Sequence, residues 1–135
     1  AAWCLQGGAV RVDSFEKNPD VIWIRGLNPW SPPPQERLTL TPGDIVRHIG
    51  QMPSGSFDAA LHDPPRFGIA GELYSQHFYE QLFRVLRSGG RLFHYTGSPN
   101  KRTSNRDVAS EVRARLDSAG FRPRISGDGI LALKP

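Results

Sequence analysis

An acidic residue followed by two prolines, in the segment LHDPPRFG at residues 61–68, is the pattern in this sequence best suited to chemistry. Proline fixes φ and has no amide hydrogen, so a central strand cannot continue through Pro64 and Pro65. The apolar segment 56–62 is therefore expected to be a strand that ends here, with Asp63 on a stiff loop at its carboxyl end. Ligands of open α/β sheets bind at this edge. A carboxylate there could accept a hydrogen bond or a proton from an amino or hydroxyl nucleophile.

Three further residues are candidates for the same edge. His62 could act as a general base, although a single histidine at a strand end is more often a structural hydrogen-bonding residue. His94 and Tyr95 end another predicted strand; they either line a pocket or are ordinary strand residues with a polar tip. Asp63 has a structural alternative too, which is to cap the turn that follows it. The residues alone leave these alternatives open.

Alternating strands and helices must hold these residues in place. Strands are predicted at 10–15, 37–41, 56–62 and 91–95, and helices at 1–7, 19–25, 45–49, 74–87 and from 107 onward. A polar loop is predicted at 97–105, and a hairpin at 121–125 and 130–133. Gly89 and Gly90 are expected to end the helix at 74–87. This order predicts an α/β fold with a mostly parallel sheet, helices on both faces and a C-terminal antiparallel hairpin.

Length and composition indicate one ordinary globular domain spanning residues 1–135. Apolar residues make up 38% of the sequence and charged residues 22%, and no apolar stretch approaches the roughly 20 residues that span a bilayer. We therefore expect no membrane association. The lone Cys4 cannot form an internal disulfide, which favours the cytoplasm. No cysteine and histidine cluster has metal-ligand spacing, so no metal site is expected.

The charge is uneven along the chain. The net charge is +4, and residues 68–135 hold 11 basic against 6 acidic residues. A basic half is compatible with nucleic acid or another polyanion as a partner, but net charge is weak evidence and a solvated arginine-rich surface is the favoured explanation.

Three further segments carry a resemblance to a known family. Glu16 follows the strand at 10–15, the residues GDI follow the strand at 37–41, and LRSGGRLFHY leads from a helix through two glycines into a strand. In this order, together with DPPRF, they resemble the class I S-adenosylmethionine-dependent methyltransferases over nearly the whole chain. That family has a seven-stranded Rossmann-like sheet that ends in an antiparallel hairpin.

The resemblance implies S-adenosylmethionine as cofactor and methyl transfer to an undetermined nucleophile. Glu16, with Lys17 beside it, would hold the cofactor's ribose hydroxyls, and Asp44 and Ile45 would meet its adenine. Asp63 would lie at the methyl donor end and act as the catalytic residue. The residues expected to bind the acceptor are Pro64, Pro65, Arg66, Tyr74 and His94.

One part of the family's pattern comes before its first helix. This part is a first strand with a Gly-rich turn, whereas the present sequence begins with AAWCLQGG, which is expected to lie inside that helix. We therefore expect a fragment, or less readily a natural truncation, without the first strand. Such a chain is expected to bind S-adenosylmethionine poorly, since glycines of that turn let the backbone approach the cofactor.

A second resemblance competes with the first. Residues 68–90 are similar to the corresponding passage of spermidine-synthase-like aminopropyltransferases, which share the fold. That family carries two acids before its proline, where this chain has only Asp63. A noncatalytic binding domain that kept the fold is the third alternative. The methyl acceptor, a small molecule or a nucleic acid, stays undetermined, and a homo-oligomer is compatible with the sequence.

Overall fold

The computed structural model describes residues 1–33, 35–66, 68–97 and 107–135, and it divides into two compact units, 1–48 and 49–135. Within these residues, no helix is long and apolar enough to cross a membrane. The predicted loop at 97–105 lies outside the described residues, except for Gly97. The assignment of the whole chain to one domain stays a prediction.

The first unit contains a parallel pair of strands. Its elements are α1 (Ala2–Gln6), β1 (Val12–Glu16), α2 (Pro19–Leu27), β2 (Leu38–Pro42) and α3 (Ile45–Ile49), the last residue of which begins the second unit. β1 and β2 are parallel, with Glu16 opposite Pro42. The start of α2 follows the sequence prediction, because the side chain of Asn18 accepts a hydrogen bond from the amide of Asp20.

The second unit is a four-stranded mixed sheet. Its elements are β3 (Phe57–His62), a 3₁₀ turn (Gly71–Tyr74), α4 (Gln76–Val85), β4 (Leu86–Tyr95), α5 (Val108–Ser118), β5 (Arg122–Ser126) and β6 (Gly129–Leu133). The strand order is β3-β4-β6-β5, in which β3 and β4 are parallel and the other pairs are antiparallel. The predicted mixture of parallel strands, helices and a closing hairpin is confirmed.

The core of the second unit lies between its sheet and two helices. α4 packs against β4 and α5, and α5 packs against β5 and β6. The helices contribute residues at helical spacing, and the sheet contributes alternate residues of its central strands; these are Phe78, Leu82, Val112, Leu116, Leu92, His94, Ile130 and Ala132. Fully burying one such apolar side chain stabilises the fold by about 1.5–3 kcal/mol.

The junction between α4 and β4 differs from the prediction. The helix ends at Val85, and β4 runs from Leu86 through both glycines instead of beginning at residue 91. The pairing of β3 with β4 shifts register between Phe57 and Ala59. Gly90 lies at this irregularity, where an added Cβ would be 2.7 Å from the carbonyl oxygen of Arg87. Gly90 therefore permits a close backbone approach within the strand.

Candidate functional site

Two acidic side chains follow the parallel strands of the first unit. Glu16 is the last residue of β1, and Asp44 comes two residues after β2. The amide of Gly43 donates a 3.0 Å hydrogen bond to the carbonyl oxygen of Glu16, which joins the two strand ends. Both acids therefore lie at the same carboxyl edge, as the sequence predicts.

Glu16 uses only part of its hydrogen-bonding capacity within the protein. Its Oε1 accepts a 2.8 Å hydrogen bond from the amide of Asn18. Within the described residues, its Oε2 has no donor. A carboxylate oxygen can accept two hydrogen bonds, so this side chain can still bind neighbouring hydroxyls of a ligand.

Asp44 is held by a helix start and a lysine. Its Oδ1 accepts a 3.0 Å hydrogen bond from the amide of Val46, and its Oδ2 lies 3.5 Å from Nζ of Lys17. Lys17 is exposed, so the ion pair is solvent-screened and leaves the carboxylate accessible. Ile45, the first residue of α3, follows directly. The edge thus combines two carboxylates, one ammonium group and an apolar side chain.

His48 supports this edge, although the sequence reasoning did not select it. Its ring packs against Phe15 with centroids 5.6 Å apart. A Cβ on Gly43 would lie 2.7 Å from Nε2 of His48, and the φ of Gly43 is +157°. Glycine is therefore needed at the turn that carries Asp44. A single histidine in a short helix gave no signal of this contact.

Asp63 is exposed at the carboxyl end of β3, beside the parallel strand β4. No hydrogen bond or ion pair joins its carboxylate to the described residues. Pro64 is half-buried, while Pro65 and Arg66 are exposed. The carbonyl oxygen of Arg66 accepts the amide of Ile69 at 2.8 Å, which begins the turn after the loop. In this structure Asp63 does not act as a turn cap.

His62 has a structural hydrogen bond. Its Nε2 lies 3.0 Å from the carbonyl oxygen of Leu73, so Nε2 carries the hydrogen and donates. Burial lowers the pKa of His62 to about 4, and the bond to Leu73 only partly opposes this. The imidazole is therefore neutral near pH 7 and is a weak base.

His94 lies entirely in the interior, with an exposed fraction of 0%. Its Nδ1 is 3.1 Å from the carbonyl oxygen of Tyr95 and its Nε2 is 3.0 Å from the hydroxyl of Tyr79. A carbonyl can only accept, so Nδ1 carries the hydrogen and Nε2 accepts from Tyr79. Burial, with a smaller effect of His62, lowers the pKa of His94 to about 3. The ring is therefore not placed to contact the acceptor as expected, because both of its nitrogens already have hydrogen-bond partners within the protein.

Tyr74 is also interior, with 1% exposed. Its hydroxyl donates a 3.0 Å hydrogen bond to the carbonyl oxygen of Pro65, and its own carbonyl accepts a 2.6 Å bond from Nη1 of Arg115. Burial, and then the charge of Asp63, raise the pKa of Tyr74. The resemblance implies that Tyr74 contacts the acceptor, whereas in the structure the Tyr74 hydroxyl contacts the backbone of the Asp63 loop. Tyr79 and Arg115 were not selected at all, because their partners are distant in sequence.

The known proteins whose sequences are similar to this chain are longer than it is. No family model matches. An uncharacterized protein of Methanocaldococcus jannaschii, MJ1233, is 40% identical over 128 residues, which are 92% of this chain and 44% of that protein. Polyamine aminopropyltransferase 2 of Streptomyces coelicolor is 31% identical over 103 residues, which are 70% of this chain and 19% of that enzyme. The chain therefore spans less than half the length of these relatives.

Solved structures identify the fold. The precorrin-6y C5,15-methyltransferase of Geobacter metallireducens matches with a TM-score of 0.64 at 14% identity, over 92% of this chain and 67% of that one. A chain of the Haloferax volcanii complex between the Trm112 activator and a methyltransferase matches with a TM-score of 0.62 at 12% identity, over 98% and 78% of the chains. The fold is that of the S-adenosylmethionine-dependent methyltransferases.

This methyltransferase fold confirms the main resemblance, and the Streptomyces match agrees with the second one. TTHA0409 of Thermus thermophilus, described as a DNA modification methylase and crystallised with S-adenosyl-L-methionine, matches with a TM-score of 0.53 at 18% identity, over 69% of this chain and 54% of that one. At such identities the likeness establishes the fold alone. The roles of the individual residues must be argued from their own geometry.

Proposed function

We propose that the chain belongs to an S-adenosylmethionine-dependent methyltransferase, in which residues 1–135 form a single methyltransferase-like domain. The observation that carries this proposal is the position of Glu16 and Asp44 at one carboxyl edge of a parallel strand pair. Open α/β sheets bind their ligands at such an edge. The proposal accounts for a carboxylate oxygen that has no donor within the described part of the chain.

The first unit would bind the adenosine part of the cofactor. Glu16 accepts hydrogen bonds from the ribose hydroxyls through Oε2, while Oε1 keeps its bond to the amide of Asn18. Asp44 accepts a hydrogen bond from the adenine amino group, Lys17 orients this carboxylate, and Ile45 packs against the ring. Each hydrogen bond to a charged group contributes about 1.5–3 kcal/mol. When bound, S-adenosylmethionine supplies an electrophilic methyl group.

The loop after β3 would hold the acceptor. The exposed carboxylate of Asp63 accepts a hydrogen bond from an amino or hydroxyl group, orients its lone pair and takes up its proton. Pro64, Pro65 and Arg66 form the adjoining surface. Arg66 is exposed three residues after Asp63, so an acceptor that carries an anionic group, either a small molecule or a nucleic acid, suits the loop better than a polycation does.

Aminopropyl transfer is the second candidate, and the similarity to the Streptomyces aminopropyltransferase favours it. The single acid of the loop, Asp63, argues against it, since a polyamine acceptor is strongly cationic. A noncatalytic binding domain is the third candidate, because a fold alone does not establish turnover.

A product assay separates the three candidates. The protein is incubated with methyl-labelled S-adenosylmethionine and RNA, DNA or a small-metabolite fraction, and in parallel with aminopropyl-labelled decarboxylated donor and putrescine. Methyl transfer predicts label in the first set only, with strong loss in Asp63→Asn and none in Asp117→Asn, an exposed aspartate on α5. Label only in the spermidine formed from putrescine contradicts the proposal in favour of the aminopropyltransferase. Label in neither set, from protein that is shown to bind S-adenosylmethionine, supports the noncatalytic domain.

A further inference from the structure

Four ring side chains that carry polar groups pack together beside the Asp63 loop and are termed the support cluster: His62, Tyr74, Tyr79 and His94. The rings of His62 and His94 meet edge to face with centroids 4.5 Å apart, and those of Tyr74 and Tyr79 lie 5.4 and 5.7 Å from His94. All four side chains are buried. The cluster is therefore a neutral, closely packed platform at the ends of β3 and β4.

The loop itself offers few ways to be held. Pro64 and Pro65 have no amide hydrogen, so two consecutive residues after Asp63 can be fixed only through their carbonyl groups or by packing. The hydroxyl of Tyr74 donates to the carbonyl of Pro65 at 3.0 Å. This bond reaches the backbone two residues from the exposed carboxylate.

Tyr74 is held in turn by α5. Nη1 of Arg115 donates to the carbonyl oxygen of Tyr74 at 2.6 Å, and Nη2 lies 3.9 Å from Glu111 one turn earlier on the same helix. The preceding carbonyl, that of Leu73, accepts from His62. Two successive carbonyls of the 3₁₀ turn are thus tied to α5 and to β3. The turn cannot shift without breaking one of these bonds.

We propose that Tyr74 and Arg115 are positioning residues, which set the place of the Asp63 carboxylate through the carbonyl of Pro65. Arg115 fixes the backbone of Tyr74, and Tyr74 fixes the loop. This assignment rests on the proposed function for the role of Asp63, but the mechanical coupling is a property of the protein without any ligand.

Tyr79 provides a matched control. Its side chain is as deeply buried as that of Tyr74, and its hydroxyl makes a 3.0 Å hydrogen bond, but that bond goes to His94 and not to the loop. Tyr74→Phe and Tyr79→Phe therefore remove the same atoms from the same cluster. A purely structural role predicts equal effects on the loop, whereas the positioning role predicts effects from Tyr74 alone.

The test measures loop order by NMR in the full chain without ligand. The amides of Ile69 and Ala70 donate to the carbonyl of Arg66, so their hydrogen exchange reports on the end of the loop. Tyr74→Phe should accelerate this exchange about tenfold and lower the order parameters of the Asp63 and Arg66 amides from rigid to flexible values. Tyr79→Phe should leave both quantities near their wild-type values. Equal changes in the two variants, or no change in either, would overturn the proposal.

A second set of three variants serves if a buried substitution prevents folding. Arg115→Gln should loosen the loop in the same way, Arg115→Lys should restore most of its order by again donating to Tyr74, and Arg113→Gln, at an exposed position of α5, should have no effect. If the loop is no more ordered in Arg115→Lys than in Arg115→Gln, the positioning role of Arg115 is contradicted. This test uses no cofactor or acceptor, so a negative result does not contradict the proposed methyl transfer. A negative product assay, in turn, does not contradict the positioning of the loop by Tyr74 and Arg115.

Discussion

Asp63 is chemically available because of the two prolines that follow it. An aspartate at the start of a turn normally accepts a hydrogen bond from the amide two residues later, and in this loop that residue is Pro65, which has no amide hydrogen. The capping role that the sequence left open therefore has no local donor. The same prolines that end β3 leave an exposed carboxylate free to bind an acceptor.

Replacing Asp63 should affect turnover more than cofactor binding. Asp63→Ala removes the group that is proposed to orient the nucleophile and accept its proton, and we expect turnover to fall by a factor on the order of 10² or more. The affinity for S-adenosylmethionine should change much less, because Glu16 and Asp44 are the residues proposed to bind the adenosine part. Steady-state kinetics and calorimetry on the same preparation measure both quantities. Wild-type turnover in the variant would show that Asp63 only shapes the loop.

The buried histidines should make the protein sensitive to acid. His62 and His94 have pKa values near 4 and 3 in the folded protein, against an ordinary value of 6.5. Since the unfolded chain binds these protons first, the free energy of unfolding should be constant above pH 6.5 and fall as the pH drops from 6.5 toward 4. The slope is about 1.4 kcal/mol per pH unit for each histidine.

Denaturant titrations between pH 7 and 4.5 measure this dependence. In His62→Gln the free energy of unfolding should depend on pH with a slope smaller by about 1.4 kcal/mol per pH unit, because one of the two histidines with a lowered pKa is gone. His77→Gln removes an exposed histidine of α4 and should retain the wild-type slope. Identical slopes in all three proteins would mean that the histidines are not buried as neutral rings.

Local patterns predict most elements but not the end of α4. Asn18 before Pro19, and Asp107 before the apolar positions of α5, are local capping signals, and both caps are present. The end of α4 has a distant cause instead. Nζ of Lys134 donates to the carbonyl oxygens of Phe83 at 2.8 Å and Leu86 at 2.7 Å, satisfying groups that the helix end leaves free. A contact between residues so far apart in the chain leaves no local trace in the sequence.

The close approach at Gly90 leads to a prediction for the β3–β4 pair. A methyl group at this position would lie 2.7 Å from the carbonyl of Arg87 and 3.2 Å from that of Asp58, so Gly90→Ala must push backbone apart. We expect the free energy of unfolding to fall by about 1–3 kcal/mol. Gly68→Ala, where the added atom meets open space, is the matched control. Chemical denaturation compares the two, and equal stabilities would mean that the strands relax without penalty.

At the level of the molecule, the sequence predicts the fold and the placement of three acids at strand ends more reliably than it predicts the interior. The acids Glu16, Asp44 and Asp63 were predicted because each closely follows or ends a strand, which is a local feature. The burial of Tyr74 and His94 was not predicted, since it depends on which helix packs over which strand. Trp23 and Trp30 are large apolar side chains that favour burial, yet they are 66% and 86% exposed. The hydrophobicity of a side chain shows that it favours burial, but it does not show which surface covers it.

The most direct test of the account is whether adenosine binds at the Glu16 and Asp44 edge. In an NMR titration of isotope-labelled protein with S-adenosylmethionine, the account predicts shifts at the amides of Glu16, Lys17, Asp44 and Ile45. NMR is suitable because it also detects weak binding.

Glu16→Gln keeps an oxygen for the amide of Asn18 but loses the charge, and it should weaken binding at least about tenfold, as expected for a hydrogen bond to a charged group. Glu36→Gln, at an exposed glutamate between α2 and β2, should bind as the wild type does. Shifts confined to other residues, or equal affinity in Glu16→Gln and the wild type, would contradict the account.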